Sequence, residues 1–281
     1  MPSIITLITP SWLIKNKKDL SGGIRTLERL GFAVVNRALP ARLPSPTEKA
    51  AEIHRAFLNK DAGIILAQRG GYSSMKVLPF IDFELIRKHP KVLAGFSDLS
   101  TLLNTVYEKT GIMTLHAPMV INLSEPTKFT VTSFLNALGG FPEKNLFTGA
   151  PLKIYRRGAA AGTLKGGNLI TLTALLRTPW EVSTEGCIVF LEDVDEKLHG
   201  VDRYLTQWIL AGKFKGVRGL VLGDFRGIKS DDVYRVLSSQ MKISFPVVHC
   251  PYIGHVKNKI TLPVGARVKL DTGKKTLTVQ G

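Results

Sequence analysis

The chain has 281 residues, 44% hydrophobic and 21% charged, a length and composition that allow two globular domains with a large buried core. Its net charge of +16 is compatible with nucleic acid, with an anionic small substrate, or only with a basic solvated surface. The Lys and Arg residues are scattered and form no long basic block, so nucleic acid is disfavoured as a partner. No apolar run has the length of a membrane span, and we expect no membrane partner.

Residues 1–10 contain neither a basic segment nor a small-residue cleavage site, so we interpret residues 4–9 as a strand and not as a signal peptide. This interpretation predicts a cytoplasmic protein. Cys187 and Cys250 lie in or beside apolar runs, and no paired Cys or His spacing suggests a zinc site. We therefore expect two buried free thiols, no metal and no other cofactor.

Residues 1–120 alternate between short apolar runs and segments whose apolar residues have helical spacing. One helix start is marked by a capping box, Ser45-Pro46-Thr47-Glu48. This alternation predicts an N-terminal α/β domain with a parallel sheet covered on both faces, similar to Rossmann and flavodoxin-like domains. The predicted elements are, in chain order, a strand at 4–9, a helix at 22–30, a strand at 32–35, a helix from 46, a turn followed by a strand within 61–67, a short helix within 78–86, a strand at 91–95 and a helix at 98–110.

The segment 141–162 is rich in turn-forming and charged residues, and we interpret it as the region of a domain boundary. We divide the chain into an N-terminal domain (1–145), a linker (146–162) and a C-terminal domain (163–281). The C-terminal part predicts a second α/β domain rich in β structure. Its elements are a helix reaching Leu176, a strand at 186–191, a helix at 202–211, a strand at 219–223, a helix at 231–238, a strand at 246–249 and a hairpin of 266–271 with 276–280.

Two segments of the first domain could carry chemistry. Ser97 lies in Gly95-Phe96-Ser97-Asp98, at a strand-to-helix turn of the kind that exposes a nucleophilic serine. The loop Arg69-Gly70-Gly71-Tyr72 follows another strand, and its adjacent glycines let backbone amides approach a ligand, although a plain tight turn is the favoured interpretation of this loop taken alone. Because the carboxyl ends of parallel strands meet at one sheet edge, we expect both segments at the same site.

A serine nucleophile needs a base within hydrogen-bond reach and an acid that orients the base. From their sequence settings alone, His116, His199 and His255 all remain candidates for the base. Glu192 directly follows an apolar strand and is a candidate acid, but a solvated strand end is the simpler interpretation. The Asp98 side chain neighbours the serine and is less suited to that task. The Asp98 N–H, at a helix start, suits the binding of an oxyanion.

Seven segments, in this order, resemble the serine LD-carboxypeptidases, a family that also includes the microcin-immunity peptidases. Together they cover about residues 5–270, and their combination is specific although no single segment is decisive. They are Arg69-Gly70-Gly71-Tyr72; Pro90-Lys91 with Gly95-Phe96-Ser97-Asp98; Thr110-Gly111 with His116-Ala117-Pro118; Gly162-Thr163-Leu164 with Gly166-Gly167-Asn168-Leu169; Leu191-Glu192-Asp193; Asp202-Arg203; and Gly254-His255 with Leu262-Pro263-Val264-Gly265. Ser73 and Ala117 depart from the pattern, since glycine is frequent at both positions.

The resemblance implies a catalytic triad of Ser97 as nucleophile, His255 as general base and acid, and Glu192 as the residue that orients His255. It also implies two backbone donors to the oxyanion, the amide of Asp98 and an amide of the glycine loop, for which we favour Gly71. A triad drawn from both predicted domains places the site at their interface.

Further candidate contacts to the substrate are Arg69, Gly70, Tyr72 and Asn168. The implied activity is the release of the terminal D-alanine from cytoplasmic murein tetrapeptides during peptidoglycan recycling, through an acyl-enzyme. An alternative is a self-immunity peptidase that cleaves an aminoacyl-nucleotide or peptide-antibiotic conjugate, with Trp180 as a possible stacking residue. A third hypothesis, from the charge alone, is a non-catalytic basic binding protein. Family members are often dimers, so we expect a homodimer.

Overall fold

The computed structural model describes residues 3–142 and 144–280, so Glu143 of the predicted turn-rich segment and the extreme ends of both predicted domains lie outside the described residues. The chain folds into two β-sheets with helices packed on them, which confirms the α/β class. The strands are β1 (Ile4–Ile8), β2 (Ala33–Val35), β3 (Ala62–Ala67), β4 (Val92–Gly95), β5 (Thr114–His116), β6 (Lys153–Arg156), β7 (Ala159–Asn168), β8 (Cys187–Asp193), β9 (Gly219–Phe225), β10 (Val247–His249), β11 (Leu262–Val264), β12 (Arg267–Asp271) and β13 (Thr276–Val279).

The helices alternate with the strands in the first half of the chain, as the apolar spacing predicts. They are α1 (Lys17–Arg29), α2 (Pro46–Leu58), α3 (Ser74–Val77), α4 (Phe83–Lys88), α5 (Ser100–Thr110), α6 (Lys128–Leu138), α7 (Leu169–Thr173), α8 (Leu198–Leu210) and α9 (Ser230–Gln240). Short 3₁₀ helices lie at Leu78–Phe80, Ser97–Leu99 and Val120–Leu123.

The first sheet has the strand order β11-β5-β4-β3-β1-β2. Strands β1 to β5 are parallel to one another, and the edge strand β11 pairs antiparallel with β5. The sequence therefore predicts the parallel part of this sheet correctly, but β11 comes from the part of the chain assigned to the second domain. A three-residue strand containing Pro263 carries no readable alternation, and proline is tolerated at such an edge position.

The second sheet has the order β13-β12-β7-β8-β9-β10-β6. Its centre, β7 to β10, is parallel, and antiparallel strands complete both sides, including the predicted hairpin of β12 and β13. The segment 146–162, which the sequence predicts as a linker, contains β6 and the start of β7. Strand β6 is exposed at both ends and carries Lys153 and Arg156, so it lacks the apolar pattern that marks a strand. The domain limits themselves stay a prediction.

Local signals explain several helix boundaries. The predicted capping box of α2 is present: the Ser45 hydroxyl accepts from Glu48 N (3.2 Å), and the Glu48 carboxylate accepts from Ser45 N (2.7 Å). Helix α1 starts five residues earlier than predicted, because Asn16 caps it by accepting from Lys18 N (3.0 Å). Helix α7 ends at Thr173, short of the predicted Leu176, and 3₁₀-type turns follow it.

Helix α5 joins the two sheets. The Asn104 side chain donates to Gly166 O (2.8 Å) and accepts from Gly166 N (3.2 Å), and Asn168 N donates to the Ser100 hydroxyl (2.9 Å). A Cβ on Gly167 would lie 2.3 Å from Ser100 Oγ, so only glycine permits this approach of β7 to α5. The contact sets the carboxyl ends of the second sheet against the start of α5, and both hydrophobic clusters of the core contain residues from both sheets.

Candidate active site

Ser97 lies directly between β4 and α5, where the chain turns sharply. Its backbone has a φ of +64°, in the left-handed region that non-glycine residues rarely adopt, and Phe96 before it is fully extended. Ser97 opens the 3₁₀ helix Ser97–Leu99, which continues into α5. Strained backbone of this kind is concentrated at functional sites, and here it carries a half-buried serine.

His255 and Glu192 complete a hydrogen-bonded chain with Ser97. The distance from His255 Nε2 to Ser97 Oγ is 2.9 Å, and that from His255 Nδ1 to Glu192 Oε2 is 2.8 Å. A carboxylate on one side of an imidazole favours the proton on Nδ1, which leaves Nε2 free to accept the serine proton. The structure therefore brings together the three residues that the family motifs pair, from β8, from the 3₁₀ turn after β4 and from the loop before β11.

Glu192 is fully buried at the end of β8, with an exposed fraction of 0%. The interpretation of Glu192 as a solvated strand end is therefore wrong. A Cβ on Gly223 or Gly254 would lie 3.0 Å from the Glu192 Cβ, so these two glycines allow the backbone to close around the carboxylate. Its second oxygen, Oε1, has no hydrogen-bond partner within the described part of the chain. Burying a carboxylate in this way is costly unless positive charge lies near it.

Lys259 supplies positive charge in this region, although no sequence motif predicts it. Its side chain is buried (1% exposed), its ammonium donates to Gly254 O, and it lies 3.8 Å from the centre of the Phe96 ring. Burial lowers the pKa of Lys259 to about 8, while the charge of Glu192 acts in the opposite direction. Lys259 thus contacts the residue before His255 and the residue before Ser97. The only sequence signal is a lysine immediately preceding the apolar run 260–264.

The two other candidate histidines lie elsewhere. His199 is exposed on the first turn of α8. His116 is fully buried, its ring packs edge-on against Phe96 (5.6 Å between centres) and Phe190 (5.0 Å), and neither ring nitrogen has a hydrogen-bond partner among the described residues. Burial holds the pKa of His116 well below its usual range, so the ring stays neutral and packs between Phe96 and Phe190.

The glycine loop lies against the serine, at the shared sheet edge that the sequence predicts. A Cβ on Gly70 would lie 3.1 Å from Ser97 Cβ and 3.3 Å from Ser97 Oγ. Gly71 has a φ of +129°, a conformation that L side chains rarely adopt. Arg69 holds the loop from outside, donating to Gly70 O (3.0 Å) and to Leu13 O (2.9 Å). The roles of Gly71 as an oxyanion donor and of Arg69 and Gly70 as substrate contacts stay predictions.

Asp98 connects the serine turn to the same loop. Its buried carboxylate accepts from Ser74 N (2.8 Å) and from the Ser11 hydroxyl (2.5 Å). The Gly95 carbonyl, three residues before Asp98, accepts instead from Ala117 N (2.8 Å). Asp98 is the second residue of the 3₁₀ helix Ser97–Leu99, at a helix start where backbone amides are available to an anion, and its role as an oxyanion donor stays a prediction.

Ser73, which replaces a frequent glycine of the family, has a φ of +107°. Its hydroxyl accepts from the buried Lys49 ammonium (2.7 Å), which also donates to Ser11 O (2.5 Å). This polar cluster fixes the far side of the glycine loop.

The remaining predicted contacts differ in accessibility. Tyr72 is 60% exposed and lines a cavity of about 300 Å³ beside Gly71 and Ile170. Asn168 is buried, and its side chain caps α7 by accepting from Thr171 N (3.2 Å) and donates to Asp193 Oδ1 (3.1 Å). Both polar groups of Asn168 thus have partners inside the protein, and its contact with substrate stays a prediction.

Cys187 and Cys250 are buried and unpaired. Within residues 3–142 and 144–280, no cluster of three or more His, Cys, Asp or Glu side chains is arranged to hold a metal ion. Over the same residues, no helix combines the length and apolar character needed to cross a bilayer.

A serine at a strained strand-to-helix turn, bonded to a histidine that a buried carboxylate orients, is the arrangement of serine hydrolases. The sequence matches the model of the LD-carboxypeptidase N-terminal domain over residues 5–117 and that of the LD-carboxypeptidase C-terminal domain over residues 161–270. The chain belongs to the LD-carboxypeptidase family and is a serine-type carboxypeptidase.

Three relatives illustrate the range of the family. The probable murein peptide carboxypeptidase of Bacillus subtilis is 32% identical over 94% of this chain and 87% of the relative. The solved muramoyltetrapeptide carboxypeptidase from Oxalobacter formigenes has a TM-score of 0.81 and 29% identity, over 98% of this chain and 97% of the other. The microcin C7 self-immunity protein MccF, solved in complex with aspartyl sulfamoyl adenosine, has a TM-score of 0.88 and 25% identity, over 100% and 96%.

Proposed function

We propose that this protein releases the terminal D-alanine from murein tetrapeptides by cleaving the bond that follows the L-centre of the diamino acid. The observation that carries the proposal is the chain of hydrogen bonds from Ser97 to His255 (2.9 Å) and from His255 to the buried Glu192 (2.8 Å). The resemblance to murein peptide carboxypeptidases supports the choice of substrate.

In the proposed reaction, Ser97 Oγ attacks the scissile carbonyl carbon while His255 Nε2 takes the hydroxyl proton. The oxyanion accepts hydrogen bonds from the amides of Asp98 and Gly71. Collapse of the tetrahedral intermediate expels the amine of D-alanine, which receives the proton from His255 and leaves an acyl-enzyme on Ser97. Water, activated by His255, then hydrolyses this ester, while Glu192 stabilises the imidazolium in both halves of the reaction.

We extend the proposal to a cytoplasmic role in peptidoglycan recycling and to a homodimer, both on the basis of family resemblance. A substrate with several carboxylates fits the net charge of +16, because a positive protein attracts anionic peptides and accelerates their encounter. Arg69, Gly70, Tyr72 and Asn168 are the proposed contacts with the substrate.

The test is D-alanine release from a murein tetrapeptide by the wild type, by Ser97→Ala and by Ser238→Ala, a matched change of an exposed serine on α9. We expect full activity in the wild type and in Ser238→Ala. Activity should fall at least about 10³-fold in Ser97→Ala, since catalysis without the nucleophile retains only oxyanion and binding effects. A folded wild-type protein that releases no D-alanine would contradict the substrate assignment.

A second candidate function is the cleavage of aminoacyl-nucleotide conjugates. It is supported by the likeness to MccF and by two exposed aromatic side chains beside Gly71, Trp12 (39% exposed) and Tyr72, which could stack on a nucleobase. Trp180, suggested by the sequence for this role, instead packs partly buried against the core. Hydrolysis of aspartyl sulfamoyl adenosine without release of D-alanine from murein peptides would favour this second function.

A further inference from the structure

A small basic cavity adjoins the candidate triad on the His255 side. It has a volume of about 270 Å³ and is lined by Phe96 and His255 together with three cationic side chains, Arg226, Lys257 and Lys259. Glu125 is the acidic residue among the side chains that line it in the described structure. Because Phe96 and His255 also belong to the surroundings of Ser97, the cavity begins at the catalytic imidazole.

Two of the cationic side chains that line the cavity, Arg226 and Lys257, are exposed at its mouth. Arg226 Nη2 lies 3.4 Å from His255 O, which places the guanidinium beside the imidazole-bearing residue. Lys257 is exposed at the rim and Lys259 is buried at the inner wall. Glu125 at the rim, the half-buried Asp224 and the buried Glu192 balance these three charges in number, so the attraction for a carboxylate is local and comes from Arg226 and Lys257, two exposed cationic donors beside His255.

The chemistry of the reaction places an anion here. His255 must deliver a proton to the leaving amine, so the leaving residue lies against the His255 ring. In an α-amino acid the carboxylate carbon is only about 2.5 Å from the amine nitrogen, from the standard N–Cα and Cα–C bond lengths. A carboxypeptidase substrate therefore carries a free carboxylate within a few ångströms of His255 Nε2.

We propose that this cavity binds the free carboxylate of the leaving amino acid, with Arg226 and Lys257 as the contacts and Lys259 as a buried supporting charge. The proposal rests on the proposed carboxypeptidase function. It names the residues by which the enzyme would recognise the free carboxyl end of its peptide substrate. The volume of about 270 Å³ is large enough for one small residue such as D-alanine.

The test compares two matched substrates, a murein tetrapeptide with a free terminal D-alanine and the same peptide ending in D-alaninamide. The enzymes are the wild type, the double variant Arg226→Gln/Lys257→Gln, and Lys269→Gln, an exposed lysine on β12, as the control. Both mutated residues of the cavity are exposed, so folding should be retained, and thermal unfolding checks this.

We expect the wild type and the control to prefer the free acid. In the double variant, kcat/KM for the acid should fall about tenfold to a hundredfold, the effect of losing charge-assisted hydrogen bonds, while kcat/KM for the amide stays unchanged. Equal wild-type activity on both substrates, or an equal loss on both in the double variant, overturns the carboxylate subsite alone. Failure of the wild type to cleave either peptide overturns the proposed function together with this inference.

Discussion

The substitution Glu192→Gln tests whether the buried carboxylate orients His255. The carboxylate accepts from His255 Nδ1 at 2.8 Å and is fully buried, so a glutamine of the same shape fits without opening the site to water. If the amide NH₂ faces Nδ1, it forces the imidazole proton onto Nε2, which can then no longer accept from Ser97. If the amide oxygen faces Nδ1, the correct tautomer persists but the negative charge that stabilises the imidazolium is lost.

We expect kcat to fall by about 10³- to 10⁴-fold, equivalent to about 4–5.5 kcal/mol of transition-state stabilisation. The value of KM should change little, since Glu192 is enclosed by Gly223 and Gly254 and is placed behind the imidazole, away from Ser97. The assay is D-alanine release over a range of tetrapeptide concentrations, with Glu185→Gln as the control at an exposed position two residues before β8. A folded Glu192→Gln variant that keeps more than about a tenth of the wild-type kcat would refute the role of Glu192.

Three further predictions concern the surroundings of the site. Gly167→Ala should lower Tm and activity together, because the new Cβ would lie 2.3 Å from a side-chain oxygen at the start of α5. Gly186→Ala, a control at positive φ that faces open space, should cost only about 1 kcal/mol of unfolding free energy. Equal losses of stability in the two variants would contradict the steric argument. Ser73→Gly relieves the backbone strain of a φ of +107° but removes the hydroxyl that Lys49 binds, whereas Ser73→Ala removes the hydroxyl and keeps the strain. In denaturant unfolding, the alanine variant should be less stable than the glycine variant by about 1 kcal/mol. The reverse order would show that the strain is negligible. Burial lowers the pKa of Lys259 to about 8, so the folded protein loses this proton at a lower pH than the unfolded chain does. The free energy of unfolding of the wild type, relative to that of Lys259→Met, should therefore rise between about pH 8 and pH 10.5 by up to about 3 kcal/mol. A constant difference between the two proteins across this range would rule out a depressed pKa.

Several features of the fold could be predicted from short stretches of sequence because short-range physics decides them. The capping box at Ser45 needs only four residues, and the hairpin of β12 and β13 needs only two strands and a turn. Ser97 and the Gly70-Gly71 loop were expected at one sheet edge because parallel strands align their carboxyl ends, and Gly70 does lie against Ser97.

The features that the sequence did not predict depend on distant partners. Strand β6 has only four residues, is charged at both ends, and pairs with β10, which is distant in sequence. Strand β11 crosses to the first sheet to pair with β5. Lys259 belongs to no recognisable sequence motif. A buried lysine is identified by its surroundings, which here are Gly254 O, the Phe96 ring and the charge of Glu192. Basic residues of this kind have to be found in the folded structure.

From the sequence alone we could predict the α/β alternation and the position of Ser97 at a sharp turn. Seven ordered motifs also indicated membership of the LD-carboxypeptidase family. The sequence left three histidines open as the base on residue settings alone, and it favoured a solvated Glu192. The contact of His255 with both Ser97 and Glu192 is seen only in the folded protein, because these hydrogen bonds join residues 158 and 63 positions apart and form once the two sheets pack. Gly167 against Ser100 permits that packing, since the absence of a side chain lets β7 approach α5 closely enough to align the two halves of the site.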